Sequence, residues 1–471
     1  MKTLNHVLLF VYAMTGWAIP VMSQEQPSGS RYLEERMPER WNYIPEFSQT
    51  LPDEDIWWES FKDPMLDSLI AEGVEKNYNV KIAMQRIMMA RQAVGQAAAD
   101  YYPMLSINAG YNKSRMAGAM NGSDIPSTNS SYFSLGMDMN WEIDLFGRIT
   151  AQVKGKKAAV EVSKADYLGT MVSLTANIAS YYVNLRTLQA EYMIAQEHLK
   201  SQKRVVEIAE ARHEAGLVSK LDVTQAKTVY YSTEGAIPAI ESSIHTTINA
   251  ISILLGTYPD SLYQRLGEIK PQPEHRYLIS SGVPMDLLRR RPDIIAAEKE
   301  LSVYAAQLGI AKKDFLPTLS LRGSIGVAAH DAGDLFKKNG FEYTIAPTLT
   351  WTLFEGFARK YAVAEARIQM EIGIEEYNQT VLTAVQEVDN AMTSYNAALK
   401  AMEIDKKVFD QSRESFDLSI EQYKEGLTAF SNVVDAQISW LTYANSLAEA
   451  KGNALISLVK LYQALGGSPM Q

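Results

Sequence analysis

Two periodicities alternate along the chain, and each occurs twice. After Pro103, apolar Leu105, Ile107, Ala109 and Tyr111 alternate with Ser106, Asn108, Gly110 and Asn112. Phe133, Leu135, Met137, Met139, Trp141 and Ile143 then alternate with Ser134, Gly136, Asp138, Asn140, Glu142 and Asp144. The pattern returns after Pro317, with Leu319, Leu321, Ile325 and Val327, and again with Tyr343, Ile345, Leu349, Trp351 and Leu353. Period two with one apolar and one polar face predicts four β-strands. Asp138, Glu142 and Asp144 share one face and read equally as pore lining or as a solvated rim. The linkers inside each pair, residues 112–131 and 328–340, are long and polar, as in the outer loops of a transmembrane barrel. A half-buried sheet on a soluble core would alternate in the same way. Four strands cannot close a barrel, since about eight is the minimum. Either several chains pool their strands or the sheet is soluble.

The remainder has helical periodicity. Residues 148–215 and 358–425 contain no proline, and small or apolar positions recur at heptad-like spacing, as in Leu168, Val172, Thr175, Ala179 and Tyr182. Each stretch would extend roughly 100 Å at 1.5 Å per residue. A helix of that length needs partners beside it rather than one globular core. Shorter helical stretches at 64–101, 220–255, 285–315 and 431–465 flank them, and two laid end to end match one long helix. Pro238 is expected to interrupt the second of these, where its counterpart Ala448 leaves the fourth unbroken.

The order of parts is an internal duplication. Trp141 matches Trp351 and Leu255-Gly256 matches Leu465-Gly466, an offset of 210 (351 − 141). Upstream, Gly95, Asp100 and Pro103 match Gly309, Asp314 and Pro317 at 214 (317 − 103), as if one loop were four residues shorter in the second copy. The duplication includes two glycine turns, Gly216-Leu217 and Gly426-Leu427, each where a long helix reverses into a short one. They belong at the end of the helices far from the strands.

Composition narrows the function. Apolar residues make up 46% of the 471 residues, enough for a buried core. With no cysteine in the sequence, disulfides, thiolate metal sites and a cysteine nucleophile are excluded, and a lipid anchor on an N-terminal cysteine is not expected. A net charge of −10 argues against nucleic acid as a partner. The six histidines lack metal-ligand spacing, no glycine-rich phosphate loop follows a strand, and no motif places a catalytic triad, so neither an enzyme nor a cofactor is expected. Lys2 followed by the apolar run Val7–Met14, with Val21 and Ser23 before Gln24, reads as a secretory signal over residues 1–23. In the segment Arg289–Glu298, Pro292 and Asp293 suit the first turn of a helix better than an anion site.

In this order and in a duplicated frame, several segments carry a family resemblance: WWESFKDPMLDSL (57–69), YYPMLSI (101–107), WEIDLFGR (141–148), GVPMDLLRRRPDIIAAE (282–298), FLPTLSL (315–321), WTLFEGFAR (351–359) and ALGG (464–467). The chain resembles the TolC-like outer-membrane efflux channel family, OprM/NodT-like branch. The resemblance implies a mainly α fold with β: long-helix hairpins forming a periplasmic α-barrel, and four strands per chain joining a trimeric 12-stranded transmembrane β-barrel in outer-membrane lipid. It implies a homotrimer acting as a passive conduit for small molecules delivered by an inner-membrane RND pump and a periplasmic membrane-fusion adaptor. A same-fold channel for type I protein or peptide secretion is the nearest rival, and a soluble periplasmic coiled-coil scaffold is the rival from another class.

The expected organisation is signal 1–23, an N-terminal equatorial segment 24–63, a first repeat 64–256, an equatorial linker 257–284, a second repeat 285–467 and a tail 468–471. The resemblance also carries a gate at the periplasmic aperture onto Asp222, Tyr423, Asn432 and Asp435, beside the tip turns Gly216, Leu217, Gly426 and Leu427. Thr428 stands where a bridging arginine occurs in the pattern, and Asn432 is uncharged where an acid is often found. Without a role in gating, the two aspartates read as helix N-terminal acids and the glycines as C-caps.

Overall fold

A computed structural model describes residues 57–117, 127–273 and 290–467. The expected signal peptide, the N-terminal segment before residue 57, most of the equatorial linker and the tail from 468 lie outside the described residues. From the N-terminus run a short 3-10 helix (Trp57–Phe61), α1 (Pro64–Lys76), α2 (Tyr78–Ala99), β1 (Met104–Met116), β2 (Thr128–Ile143), α3 (Arg148–Glu214), α4 (Lys220–Leu255) and α5 (Pro259–Leu266). Then follow α6 (Pro292–Lys313), β3 (Thr318–Ala329), β4 (Phe341–Thr350), α7 (Ala358–Lys424) and α8 (Phe430–Ala464).

The long helices α3 and α7 are each 67 residues, about 100 Å of rod. α3 packs against α2 and α6 and also against α4 and α8, while α7 packs against α6 and α8. The helices therefore form a wall of four columns: α2 with α4, then α3, then α6 with α8, then α7. Small residues let the columns approach. Gly155 of α3 faces Ala306 of α6, and Gly373 of α7 faces the Tyr304 ring. A Cβ at Gly452 of α8 would overlap Thr187 Oγ1 of α3.

Two expectations about helices change. The stretch 64–101 is broken at Asn77, whose side chain accepts from Asn79 N (2.7 Å) and Val80 N (3.2 Å) and starts α2. Its Nδ2 donates to Leu254 O (2.8 Å), tying the break to the end of α4. Pro238, in contrast, does not interrupt α4, which runs unbroken through it. Pro238 and Glu234, whose carbonyl loses its helical donor, both lie on the exposed face, where water replaces the missing bond.

Near the middle of the long helices, aromatic and ionic contacts join the elements. Trp57 stacks on Tyr462 at 5.2 Å, and Tyr182 OH donates to Asp63 Oδ2 at 2.6 Å. Arg291 precedes α6 and is buried, donating to Asp293, to Glu387 of α7 and to Ala464 O of α8. Pro292 and Asp293 occupy the first turn of α6, as read from the sequence.

The four strands form one antiparallel sheet in the order β1-β2-β3-β4. Ile107, Met137, Ile325 and Tyr343 lie in one row across it, and Leu105, Met139, Gly323 and Ile345 in another. The alternate rows carry Ser106, Asp138, Ser324 and Thr344, then Asn108, Gly136, Gly326 and Glu342. Ile107, Tyr343 and Ile345 are about 70% exposed, so the sheet turns its apolar face outward rather than onto a core. β1 and β4 are both edge strands. The duplication survives in tertiary detail: Trp141 Nε1 donates to Tyr101 O (2.9 Å), and its counterpart Trp351 donates to Phe315 O (3.0 Å). β4 ends at Thr350, so Trp351 and Leu353 continue the alternation in sequence only. Of the three acids expected on one strand face, Asp138 bonds Asn108 across the strands, and Glu142 pairs with Arg148 at 2.9 Å. Asp144 departs from the expectation. It lies beyond β2 and accepts from Ile149 N (3.0 Å) and Thr150 N (2.8 Å), capping α3.

The Gly452→Ala substitution is expected to cost about 1–3 kcal/mol, because Thr187 is held by bonds to Val183 O and Gln272 and cannot move freely. The apparent melting temperature at one scan rate should fall for Gly452→Ala and stay level or rise for Gly235→Ala, where nothing lies within 4 Å. Equal melting temperatures for the two would show that the α3–α8 contact is not tight.

Candidate functional site

The far ends of the helices bring together both glycine turns and two of the sequence-derived site residues, Asp222 and Tyr423. α3 ends in a left-handed glycine, Gly216, with φ 74°. Gly216 N bonds His213 O (2.9 Å) and Leu217 N bonds Arg212 O (2.9 Å), the double closure of a Schellman motif. α7 ends identically at Gly426, with φ 75°: Gly426 N bonds Tyr423 O (3.0 Å) and Leu427 N bonds Gln422 O (2.8 Å). The glycines are thus C-caps as well as reversals. Leu217 and Leu427 are 67% and 77% exposed, so each turn presents a bare leucine at its end.

Behind the turns the two hairpins share an apolar core of Val205, Ala209, Ala226, Phe416, Tyr423, Phe430, Val433 and Trp440. Phe416 stacks on Trp440 at 5.1 Å, and the His198 ring centre lies 4.0 Å from that of Trp440. His198 is buried, and burial pushes its pKa down to about 4, so it is neutral in this packing.

At the edge of this core the hairpins are joined by a polar link. Tyr423 OH donates to Asp222 Oδ2 at 3.4 Å, and Ser219 Oγ donates to Asp222 Oδ1 at 2.9 Å. Arg212 lays its guanidinium 4.9 Å from the Tyr423 ring centre and donates to Lys424 O at 2.7 Å. Burial and then the Asp222 carboxylate push the Tyr423 hydroxyl above its usual range, with Arg212 opposing them. It stays protonated at neutral pH and remains a donor.

The sequence-derived positions therefore divide into two groups. Asp222 and Tyr423 meet directly across the hairpins. Asn432 and Asp435 do not join them. They line a separate groove between α7 and α8 with Lys407, Ser412, Ser439 and Tyr443. Asn432 Nδ2 donates to Thr428 Oγ1 within its own turn at 2.8 Å, so the two departures from the family pattern satisfy each other. Asp435 is exposed and lies beyond the first turn of α8, so dipole capping does not explain it, whereas Asp222 is in the first turn of α4. Arg212 was missed in the sequence. It belongs to the first hairpin and reaches the Tyr423 ring and the Lys424 carbonyl of the second. Its signal was a basic side chain in the last turn before Gly216.

Comparison with known proteins gives one consistent result. The profile of the outer membrane efflux protein family matches residues 69–257 and 283–467, one segment for each half of the duplication. Nodulation protein T of Rhizobium leguminosarum bv. trifolii is 27% identical over 395 residues, 84% of this chain and 84% of its own. The probable efflux pump outer membrane protein TtgC of Pseudomonas putida is 26% identical over 435 residues, covering 91% and 89%. Among solved structures, the outer-membrane channel OprN superposes with a TM-score of 0.83 at 27% identity, over 96% of this chain and 98% of that one.

Because His198 is neutral when folded and titrates near its ordinary 6.5 when unfolded, the unfolded state takes up more protons between those values. Stability should therefore fall as pH drops from about 6.5 toward 4. The melting temperature of wild type is expected to decline over this window more steeply than that of His198→Gln. Parallel curves would place His198 in water.

Proposed function

The chain belongs to the outer membrane efflux protein family, and on that premise we propose that three copies close into one tube through which small molecules leave the periplasm. The protein is an outer-membrane efflux channel with its helical wall in the periplasm, and the family is one of channels rather than enzymes. One observation supports the trimer above all: the chain is an open wall whose two flanks are both unfinished. β1 and the α2–α4 column bound one side, β4 and α7 the other. Tyr78, Ile82 and Met89 of α2 are exposed, as are Tyr361, Ile368 and Ile372 of α7. Joining flank to flank by rotation is a heterologous contact that generates a ring, and three copies of a four-stranded sheet give twelve strands. That number exceeds the minimum for closure.

In that ring the outward apolar rows face lipid and the Asp138, Arg322 and Glu342 rows face the lumen. The helices line a passage of the same polarity, and six glycine turns meet at its periplasmic end. The Asp222–Tyr423–Arg212 link then holds the two hairpins of each chain together at the aperture, and the exposed Leu217 and Leu427 offer apolar contacts to a periplasmic adaptor. The adaptor in turn couples the tube to an inner-membrane RND pump. Asp435 repeats three times around the aperture, where like charges favour cations over anions.

Size-exclusion chromatography with light scattering in detergent should give three chains per particle. A monomer would overturn the tube. In planar bilayers, Asp222→Ala with Tyr423→Phe should raise single-channel conductance several-fold, because both acceptor and donor of the link are gone. Asp435→Ala should lower the cation-to-anion permeability ratio at low salt, where screening is weak. An unchanged ratio would put Asp435 outside the lumen, and unchanged conductance in the double variant would reduce the link to a packing contact.

A further inference from the structure

Along the outward face of β1 the side chains follow a definite order. Leu105, Ile107 and Ala109 form the apolar rows, and Tyr111 ends them, packed against Phe133 of β2 at 4.7 Å between ring centres. The next two residues of the same parity are Lys113 and Arg115, both exposed. Apolar band, aromatic pair, basic pair: this sequence of chemistries along one strand face crosses from hydrocarbon into headgroups, because aromatic girdles mark the interface of outer-membrane barrels. β1 leaves α2 and runs away from the helices, so its Lys113–Arg115 end lies in the outer leaflet.

Among the described residues, the β2 neighbours at that height do not neutralise the pair. Lys113 and Arg115 are opposite Ser131 and Asn129 of β2, which are uncharged. Arg115 Nη2 donates to Ser127 Oγ at 3.0 Å, which steadies the guanidinium without consuming its charge. Glu342 falls on the other parity, with Asn108, Gly136 and Gly326 on the polar face of the sheet. The strand order adds more positive charge. Closing the ring sets the β4 edge of one chain beside the β1 edge of the next, antiparallel, so the loop before Phe341 enters the same corner. That loop brings Lys337 and Lys338, with Asp331 and Asp334 as its acids, and Lys337 is already paired with Asp334. Lys338, Lys113 and Arg115 then face an apolar surface on one side and headgroups on the other.

We propose that Lys113 and Arg115, with Lys338 of the adjacent copy, form a binding site for the phosphorylated headgroup of an outer-leaflet glycolipid. The acyl chains lie on the Leu105–Ile107–Tyr111 face while the cations hold the phosphate. An alternating strand places the two basic residues roughly 7 Å apart on one side, within reach of one phosphate. Arg115 is suited to a bidentate contact and Lys113 to a point charge. The site rests on the closed-barrel reading, and three copies of it would occur, one at each junction between chains.

The test uses the full-length protein in detergent and measures retention of phosphorylated lipid A against its phosphatase-treated form by native mass spectrometry, with titration of a fluorescent lipid A for affinity. Wild type should prefer the phosphorylated form, and Lys113→Gln with Arg115→Gln should weaken that form by about tenfold or more while leaving the dephosphorylated form unchanged. Raising salt should erode the wild-type preference. Equal retention of the two lipids by wild type, or an unchanged affinity in the double variant, would overturn the site. At equal ionic strength, inorganic phosphate displacing lipid A far more effectively than chloride does would overturn the lipid assignment. The double variant is also reconstituted in planar bilayers: wild-type conductance with lost lipid preference supports the proposal. Preserved conductance with preserved preference sinks the site alone, whereas a wild-type chain that does not insert sinks the barrel on which it rests.

Discussion

A backbone amide in hydrocarbon has no water to turn to, and this constraint organises everything else in the molecule. Four antiparallel strands of 10 to 16 residues leave two edges of unpaired N–H and C=O groups. A soluble sheet could blunt those edges with charge or bulges. This one turns Leu105, Ile107, Tyr343 and Ile345 outward, so its edges must be paired by other copies in the membrane. Pairing fixes the flanks, the flanks set the helical columns side by side, and the columns, being rods of one length, bring all the glycine turns to one level.

The tips show how two copies of one sequence can take different roles within that frame. Both turns have the same backbone closure, because a Schellman motif depends on a glycine and little else. The side chains around them have diverged, so that an arginine from the first hairpin meets a tyrosine from the second, and that tyrosine meets an aspartate from the first. Neither half contains the whole link. The core behind it is shared in the same way, with Ala209 and Ala226 from one hairpin against Phe416 and Phe430 from the other.

The strands, the long helices and the duplication were legible in the sequence, since period two, unbroken helical periodicity and matched spacings are local signals. Less legible were features decided by partners far along the chain. The break at Asn77 is tied to Leu254 O at the end of α4, a partner nearly two hundred residues along the chain. Pro238 suggested an interruption, but exposure of its helix face removed the cost. Asp144 continued the strand alternation in sequence, and the turn at Gly147, with φ 75°, swung it round onto the first amides of α3. At the tip, the resemblance pointed to Asp222 and Tyr423 as separate positions, but neither their contact nor the part played by Arg212 was legible, because the partners lie about two hundred residues apart. The separation of Asn432 and Asp435 from that pair is also a matter of helix rotation: Val433 points into the core, which turns its neighbours toward the α7–α8 groove.

The matching tryptophans carry a consequence about symmetry. Trp141 and Trp351 make the same bond to equivalent carbonyls, so each half of the chain is a complete structural unit of two strands, one long rod and one jointed rod. A half-length ancestor would have needed six copies to make the same ring, and every side chain at its mouth would have appeared six times. Joining the halves lowers the rotational order from six to three while leaving the diameter untouched. Gly147 and its counterpart Phe357, both left-handed, show that the halves have since drifted even at a demanding backbone position. Fusion gave the ring two independent addresses per chain, and with them room for a mouth whose neighbouring positions carry different chemistry.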